Sequence, residues 1–257
     1  MNDEERYLFD LQGFLVLKGV LSQDEVGALN RLIDAQNLPE PGESVQSQRF
    51  GGFLSWGQPF RDVLDHPRVM PYLKELLDPA VRLDHYYGIY MKQGTEGLKL
   101  HGGGTPYDRP EYYHFRNGQM FNGLTVVTWA LSDVPAGQGG FACIPGSHKA
   151  NYACPRPIRN YESNPGCVVQ VPMQAGDVLI FTEALTHGTH PWTTAHQRRS
   201  LLLKYCPGHM AWGGGYTKWP AELLEQLTAT QRLLFEAPYF HQRKEIGDPE
   251  AVPRSAY

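Results

Sequence analysis

The chain has 257 residues, 23 lysines and arginines against 27 aspartates and glutamates for a net charge of −4, and a 41% hydrophobic share. This is enough to bury a large core without disulfides, and the charge offers no basic stripe to nucleic acid, Arg198-Arg199 being an isolated pair. No apolar run approaches a membrane span, the acidic start MNDEERYLFD lacks the regions of a secretory signal, and Cys143, Cys154, Cys167 and Cys206 show no metal or redox spacing, so they read as buried thiols of a cytoplasmic protein.

In chain order, GFLVLKGV (13–20) is an apolar run of strand length. LSQDEVGALNRLIDAQ follows as a helix: Ser22 and Glu25 form a capping box, and Val26, Leu29 and Ile33 share one face. A second helix is expected near 68–78, where Val69, Leu73, Leu76 and Leu77 fall at helical spacing. From Val81 to Cys206 strands dominate: VRLDHYYGIYMK, GLTVVTWALS (123–132), GGFACI (139–144), CVVQV (167–171), DVLIFT (177–182) and SLLLKYC (200–206), parted by turn segments such as AGQGG and QAGD. Two short helices close the chain, PAELLEQL after Pro220 and TATQRLLFE with a Thr228–Gln231 capping box. The pattern predicts one α+β domain over 1–257, a jelly-roll-like double sheet at about 81–206 with helices at either end.

Histidines at strand ends are the chemical signal. His101 ends the strand-like LKLH, and His187 and His190 lie just past DVLIFTEAL. Two imidazoles from different strand mouths suit iron, zinc or nickel, and a nearby buried arginine would clamp a carboxylate in bidentate fashion. By spacing alone, chance scatter of ten histidines competes evenly with a site, and His66, His85 and His241 read as helix-end, strand and tail residues.

The segments GFLVLKGVLSQDEV, LHGG, WALSDVPAGQGGFACIPGSHK and QAGDVLIFTEALTHGTHPW…RRSLLLKY together resemble the phytanoyl-CoA dioxygenase-like family of non-haem Fe(II)/2-oxoglutarate enzymes, over Tyr7 to Cys206. The resemblance implies a double-stranded β-helix (jelly roll), a His-x-Asp/Glu pair and a distal His on iron, and an Arg about eleven residues later for 2-oxoglutarate. It matches His101 to the first ligand, His187 to the distal ligand with His190 well behind, and Arg198, eleven residues after His187, to the co-substrate anchor. His148 in PGSHK is then structural, Arg199 faces out or pairs with a surface acid, and Trp129 is core or pocket wall. Lys92 reads equally as a contact to 2-oxoglutarate or an anionic substrate and as a solvent-facing strand lysine.

The departure is Gly103, where the family has its acid. Three readings stand open: a halide fills the position, as in the halogenases this pattern resembles; Asp108 or Glu111 swings in; or two histidines and water hold the iron. The resemblance thus implies an enzyme that functionalises an unactivated C–H bond of a small molecule using Fe(II), 2-oxoglutarate and O2, with chloride as a candidate further ligand. Radical halogenation stands narrowly ahead of hydroxylation, and a metal-free binding module comes third. DRPEYYHFRNGQMFNG (108–123) is expected as a loop beside the iron, with Tyr112, Tyr113, His114 and Arg116 as candidate substrate contacts, and CPGHMAWGGGYTKW (206–219) as a lid.

Overall fold

The structure, a computed structural model, describes residues 1–39 and 48–247. The strands are β1 (Phe14–Leu17), β2 (Gln48–Phe50), β3 (Arg82–Met91), β4 (Leu98–His101), β5 (Tyr113–Arg116), β6 (Gln119–Asn122), β7 (Thr125–Ala130), β8 (Gly140–Cys143), β9 (Val169–Gln170), β10 (Val178–Thr182), β11 (His187–His190) and β12 (Arg198–Cys206). The helices are α1 (Asp3–Gln12), α2 (Gln23–Asp34), α3 (Gln58–Asp62), α4 (Met70–Leu76), α5 (Arg156–Arg159), α6 (Ala221–Glu225) and α7 (Ala229–Leu234). None of these helices is long and apolar enough to cross a membrane.

A six-stranded sheet in the order β1-β10-β7-β12-β3-β2 faces a four-stranded sheet in the order β4-β11-β8-β9, with every named pairing antiparallel. This is the expected jelly roll, and the expected strands and helices are all present within a few residues. The large sheet is buried on both faces, which is why its strands read as continuous apolar runs. On β10, Val178 and Ile180 join the core under the helices, while Leu179 and Phe181 turn into the space between the sheets. Trp129 belongs to the helix side, so of its two readings it is core. The same period of two sends His85, Tyr87 and Ile89 of β3 and Arg198, Leu202 and Lys204 of β12 into the lumen.

Local chemistry accounts for the helix ends. Ser22 with Glu25 and Thr228 with Gln231 form the expected capping boxes, and Val26, Leu29 and Ile33 are buried. Asn2 with Glu5 forms a third box and starts α1, a helix the sequence reading passes over. Cys143 and Cys206 are buried thiols, but Cys154 and Cys167 are partly exposed, so burial explains only two of the four.

The stretch expected as one loop, 108–123, is instead a loop followed by the β5–β6 hairpin. Its turn is Asn117-Gly118, both with positive φ (53° and 76°), the pairing that two-residue hairpin turns favour.

Strand β2 carries Arg49 to the rim of the lumen, and its placement depends on Gly88. Phe50 lies directly opposite Gly88 in the ladder, and a Cβ at Gly88 would sit 1.9 Å from the Phe50 ring. Gly88→Ala is therefore expected to displace β2 at a cost of about 1–3 kcal/mol, lowering the thermal midpoint by roughly 3–10 °C in a calorimetric scan.

Candidate metal centre

Strand β4 pairs with β11 so that His101 and His187 stand directly opposite each other, their ring centroids 4.2 Å apart. Both rings are oriented by the backbone: Nδ1 of His101 reaches the Lys99 carbonyl at 3.1 Å, and Nδ1 of His187 the Leu185 carbonyl at 2.7 Å. A carbonyl only accepts, so each Nδ1 carries the proton and each Nε2 lone pair is free for a metal. Burial pushes His187 down to about 4, against a partial opposing pull from Glu183, which keeps the imidazole neutral as a ligand must be.

The third candidate donor is Glu183. It follows β10 by one residue, and its amide donates to the Leu124 carbonyl at 2.9 Å. Its Oε2 lies 3.8 Å from His187 Nε2, and donor atoms of His101, Glu183 and His187 all fall within 4.8 Å of one another. Two neutral nitrogens and one carboxylate oxygen are the donor set of a non-haem iron facial triad, so these residues fit that metal. The other Glu183 oxygen, Oε1, accepts from Lys204 Nζ at 2.5 Å, with Glu183 buried and Lys204 partly exposed. Burial alone would raise the Glu183 carboxyl, but His187 and Lys204 outweigh it and hold it below its ordinary value.

Arg198 opens β12, is 4% exposed, and lines the same cavity of about 410 Å³. Its Nη1 contacts the Met91 sulfur at 3.3 Å, its Nε has no partner, and burial lowers it to about 10. A guanidinium buried without an anion is suited to receive one, and the distal carboxylate of 2-oxoglutarate has the planar shape its fork accepts.

The other candidates fall elsewhere. Lys92 is not among the residues lining the cavity; alternation along β3 gives the lumen side to Met91, the residue before it. Asp108 is exposed and outside the donor group. Glu111 lines the cavity, yet its loop is tied down by Leu124 N to the Pro110 carbonyl (2.7 Å) and Gly123 N to the Tyr112 carbonyl (2.8 Å), which opposes a swing toward the histidines. His190 packs edge-on against Tyr161, His148 bonds the Asp10 carbonyl at 3.0 Å, and Arg199 pairs with Asp34 at 2.7 Å. Tyr112, Tyr113, His114 and Arg116 do not line the cavity, whereas Trp212, from the segment expected as a lid, does.

Gly103 belongs to a close approach of two backbones. Gly102 and Gly103 have φ of +69° and +113°. A Cβ on Gly102 would meet the Glu183 carbonyl at 2.6 Å, and one on Gly103 would meet Thr186 Oγ1 at 2.8 Å. The glycines let the His101 segment press against the turn that carries Glu183 and His187.

Glu183 and Lys204 are the residues that sequence reasoning missed, and each had a signal. Glu183 stands four residues before His187, and Lys204 shares strand parity with Arg198. A larger cleft of about 640 Å³ lies between α1, α4 and the β5–β6 hairpin, but it is lined by acids and bases such as Arg6 and Glu75 that already pair with each other.

The family model described as Phytanoyl-CoA dioxygenase (PhyH) matches residues 9–200. The chain belongs to this family. As a PhyH-family protein it is an enzyme of the non-haem Fe(II)/2-oxoglutarate oxygenase type, which uses Fe(II), 2-oxoglutarate and O2. Among solved structures, HygX from Streptomyces hygroscopicus with nickel and 2-oxoglutarate bound is 25% identical over 93% of this chain and 96% of that one, with a TM-score of 0.74. HygX with nickel, 2-oxoglutarate and hygromycin B bound is also 25% identical, over 82% of this chain and 89% of that one (TM-score 0.73). SnoK, a non-heme alpha ketoglutarate dependent carbocyclase from nogalamycin biosynthesis, shares the fold at 19% identity over 86% and 91% of the two chains (TM-score 0.61). No curated protein sequence matches the chain.

Gly103→Asp restores the family's motif on paper but puts an L-residue at φ +113° against Thr186. The expected result is a loss of about 1–3 kcal/mol of stability and no gain in iron affinity, measured by thermal denaturation and by anaerobic Fe(II) titration.

Proposed function

We propose that this PhyH-family enzyme oxidises an unactivated C–H bond of a small molecule, with His101, His187 and Glu183 holding the iron and Arg198 holding 2-oxoglutarate. The observation that carries this reading is the carboxylate of Glu183 beside two imidazoles whose Nε2 atoms are free. The halogenase expectation rested on an empty third position at Gly103. With Glu183 available to donate there, hydroxylation or a related C–H oxidation is the better reading, and chloride is not needed as a ligand.

Bound iron would supply the activation of O2 that is coupled to oxidative decarboxylation of 2-oxoglutarate to succinate and CO2. The protein's residues bind and orient. Lys204 occupies Glu183 Oε1, which leaves Oε2 as the single oxygen directed at the histidines. A one-oxygen donor keeps more of the metal's positions open for the co-substrate and O2 than a two-oxygen donor would. Arg198, buried in the cavity lining, anchors the far carboxylate, and the apolar side chains of Phe141, Phe181 and Leu202 limit water around the site.

Glu183→Ala is expected to lose at least 10–100-fold in iron affinity, together with the visible charge-transfer band that Fe(II) and 2-oxoglutarate give under anaerobic conditions. Arg198→Ala should keep iron but weaken 2-oxoglutarate by roughly 30–1000-fold. Lys204→Met should weaken iron or move the band, with recovery in Lys204→Arg. The same titration run with and without chloride should give one band position and one 2-oxoglutarate affinity. Full iron binding by Glu183→Ala, or a band that follows chloride, would return the halide reading.

A further inference from the structure

Glu111 is the acid that the mechanism leaves unused. Among the described residues three acids are buried, and each is compensated: Asp84 by Arg82 and His85, Asp177 by Lys18, and Glu183 by Lys204. Asp84 and Asp177 also accept backbone amides, from Trp212 and Gly19. Glu111 is half-buried at the cavity wall close to Trp212, and has no ion-pair partner among the described residues. Lys204 acts on Glu111 only through its field, because its ammonium is bonded to Glu183 at 2.5 Å. Burial, with added repulsion from Glu183 and Asp108, pushes the Glu111 carboxyl up to about 7. A carboxylate facing a cavity with no cation bonded to it costs stability, and a ligand's cation would relieve that cost.

Beside it stands a wall of stacked rings. Trp212 lies over His85 (5.3 Å, 29° between planes), and His85 lies over Tyr87 (6.1 Å, 16°). All three line the cavity, and Trp212 is 53% exposed. Asp84 ties the wall together, binding the His85 ring at 2.7 Å and the Trp212 backbone amide at 2.8 Å. Ring faces beside a carboxylate favour a cationic nitrogen carried on a compact carbon framework. Arg49 rests on Tyr87 at 4.4 Å at the far end, where it would oppose a second cation.

We propose that Glu111, together with the Trp212–His85–Tyr87 wall, is the substrate subsite of this enzyme and that it takes a protonated amine. The proposal deepens the C–H oxidation reading and rests on this cavity being the active site. The substrate class it names is an aminated small molecule, with its ammonium at Glu111 and its carbon framework directed toward the His101–Glu183–His187 centre.

The test uses the full chain loaded with Zn(II), a diamagnetic stand-in for iron, and 2-oxoglutarate. Three probes of one shape, cyclohexylmethylamine, cyclohexylmethanol and cyclohexanecarboxylate, are titrated at pH 8 by ligand-observed NMR, and Zn(II) and 2-oxoglutarate affinities are measured on the same samples. The amine should bind about tenfold more tightly than the alcohol. Glu111→Gln should erase that preference while keeping Zn(II) and 2-oxoglutarate binding. Trp212→Leu should weaken the amine severalfold, and Arg49→Gln should leave it as tight or tighter. Equal binding of amine and alcohol by loaded protein overturns the subsite, as does a preference for the carboxylate. Loss of Zn(II) in Glu111→Gln also overturns it, by making Glu111 a metal ligand. Wild-type protein that binds neither Zn(II) nor 2-oxoglutarate strikes the active-site reading instead, and an amine preference without metal would still uphold the cation site.

Discussion

The pairing of His101 directly across from His187 is the constraint on which the site depends. A slip of one residue in that ladder would turn one imidazole to the opposite face of the small sheet. The register is held from outside the ladder as well. Ser147 Oγ receives the Thr186 amide at 2.7 Å, the Thr186 carbonyl receives Ile144 N at 2.9 Å, and Gly104 N bonds the Ser147 carbonyl at 3.1 Å. The PGSHK turn is thus a brace lying between the two histidine-bearing segments. His148 in that turn is structural for the same reason: it ties the brace to the end of α1 through the Asp10 carbonyl.

Charge is distributed to match. The lumen gathers Arg198, Lys204, Glu183 and Glu111 between walls that are otherwise largely apolar or aromatic. Lys204 meets Glu183 directly and also feels the field of Glu111, so one ammonium moderates two carboxylates. Without it, two acids facing one small cavity would repel each other at close range, with little water to screen them. The ion pair therefore stabilises the empty pocket and also fixes which oxygen of Glu183 is offered inward.

Much of this was legible in the chain. The apolar runs of β7, β10 and β12, the capping boxes at Ser22 and Thr228, and the ordered motifs around His101, His187 and Arg198 led to the right architecture. What escaped was of two kinds. Parity along a strand was available but unused: once Arg198 is placed in the lumen, Lys204 must share its face, and Met91 displaces Lys92 from it. The hairpin at Asn117-Gly118 likewise had its turn dipeptide in view. The approach of Glu183 to the histidines was harder to see, because it depends on how tightly the glycine run lets two loops pack, and three-dimensional proximity of that kind leaves only a spacing of four before His187 as its trace. Gly103 was read as a vacancy, whereas the backbone there is shaped by the neighbour it touches.

A carboxylate drawn from the segment just before the distal histidine alters what counts as the signature of such a centre. On the proposed reading, two of the three donors come from one short span, Glu183 to His187, and the third from a strand more than eighty residues earlier. A search built on a histidine followed two places later by an acid would discard this chain as defective. An acid four places ahead of the second histidine would retain it, provided that an inward lysine stands on the strand after it. With Glu183 as the proposed ligand, the donor set would persist while the position of its acid migrates along the fold, and enzymes dismissed for a missing residue become worth reading again for one that has moved.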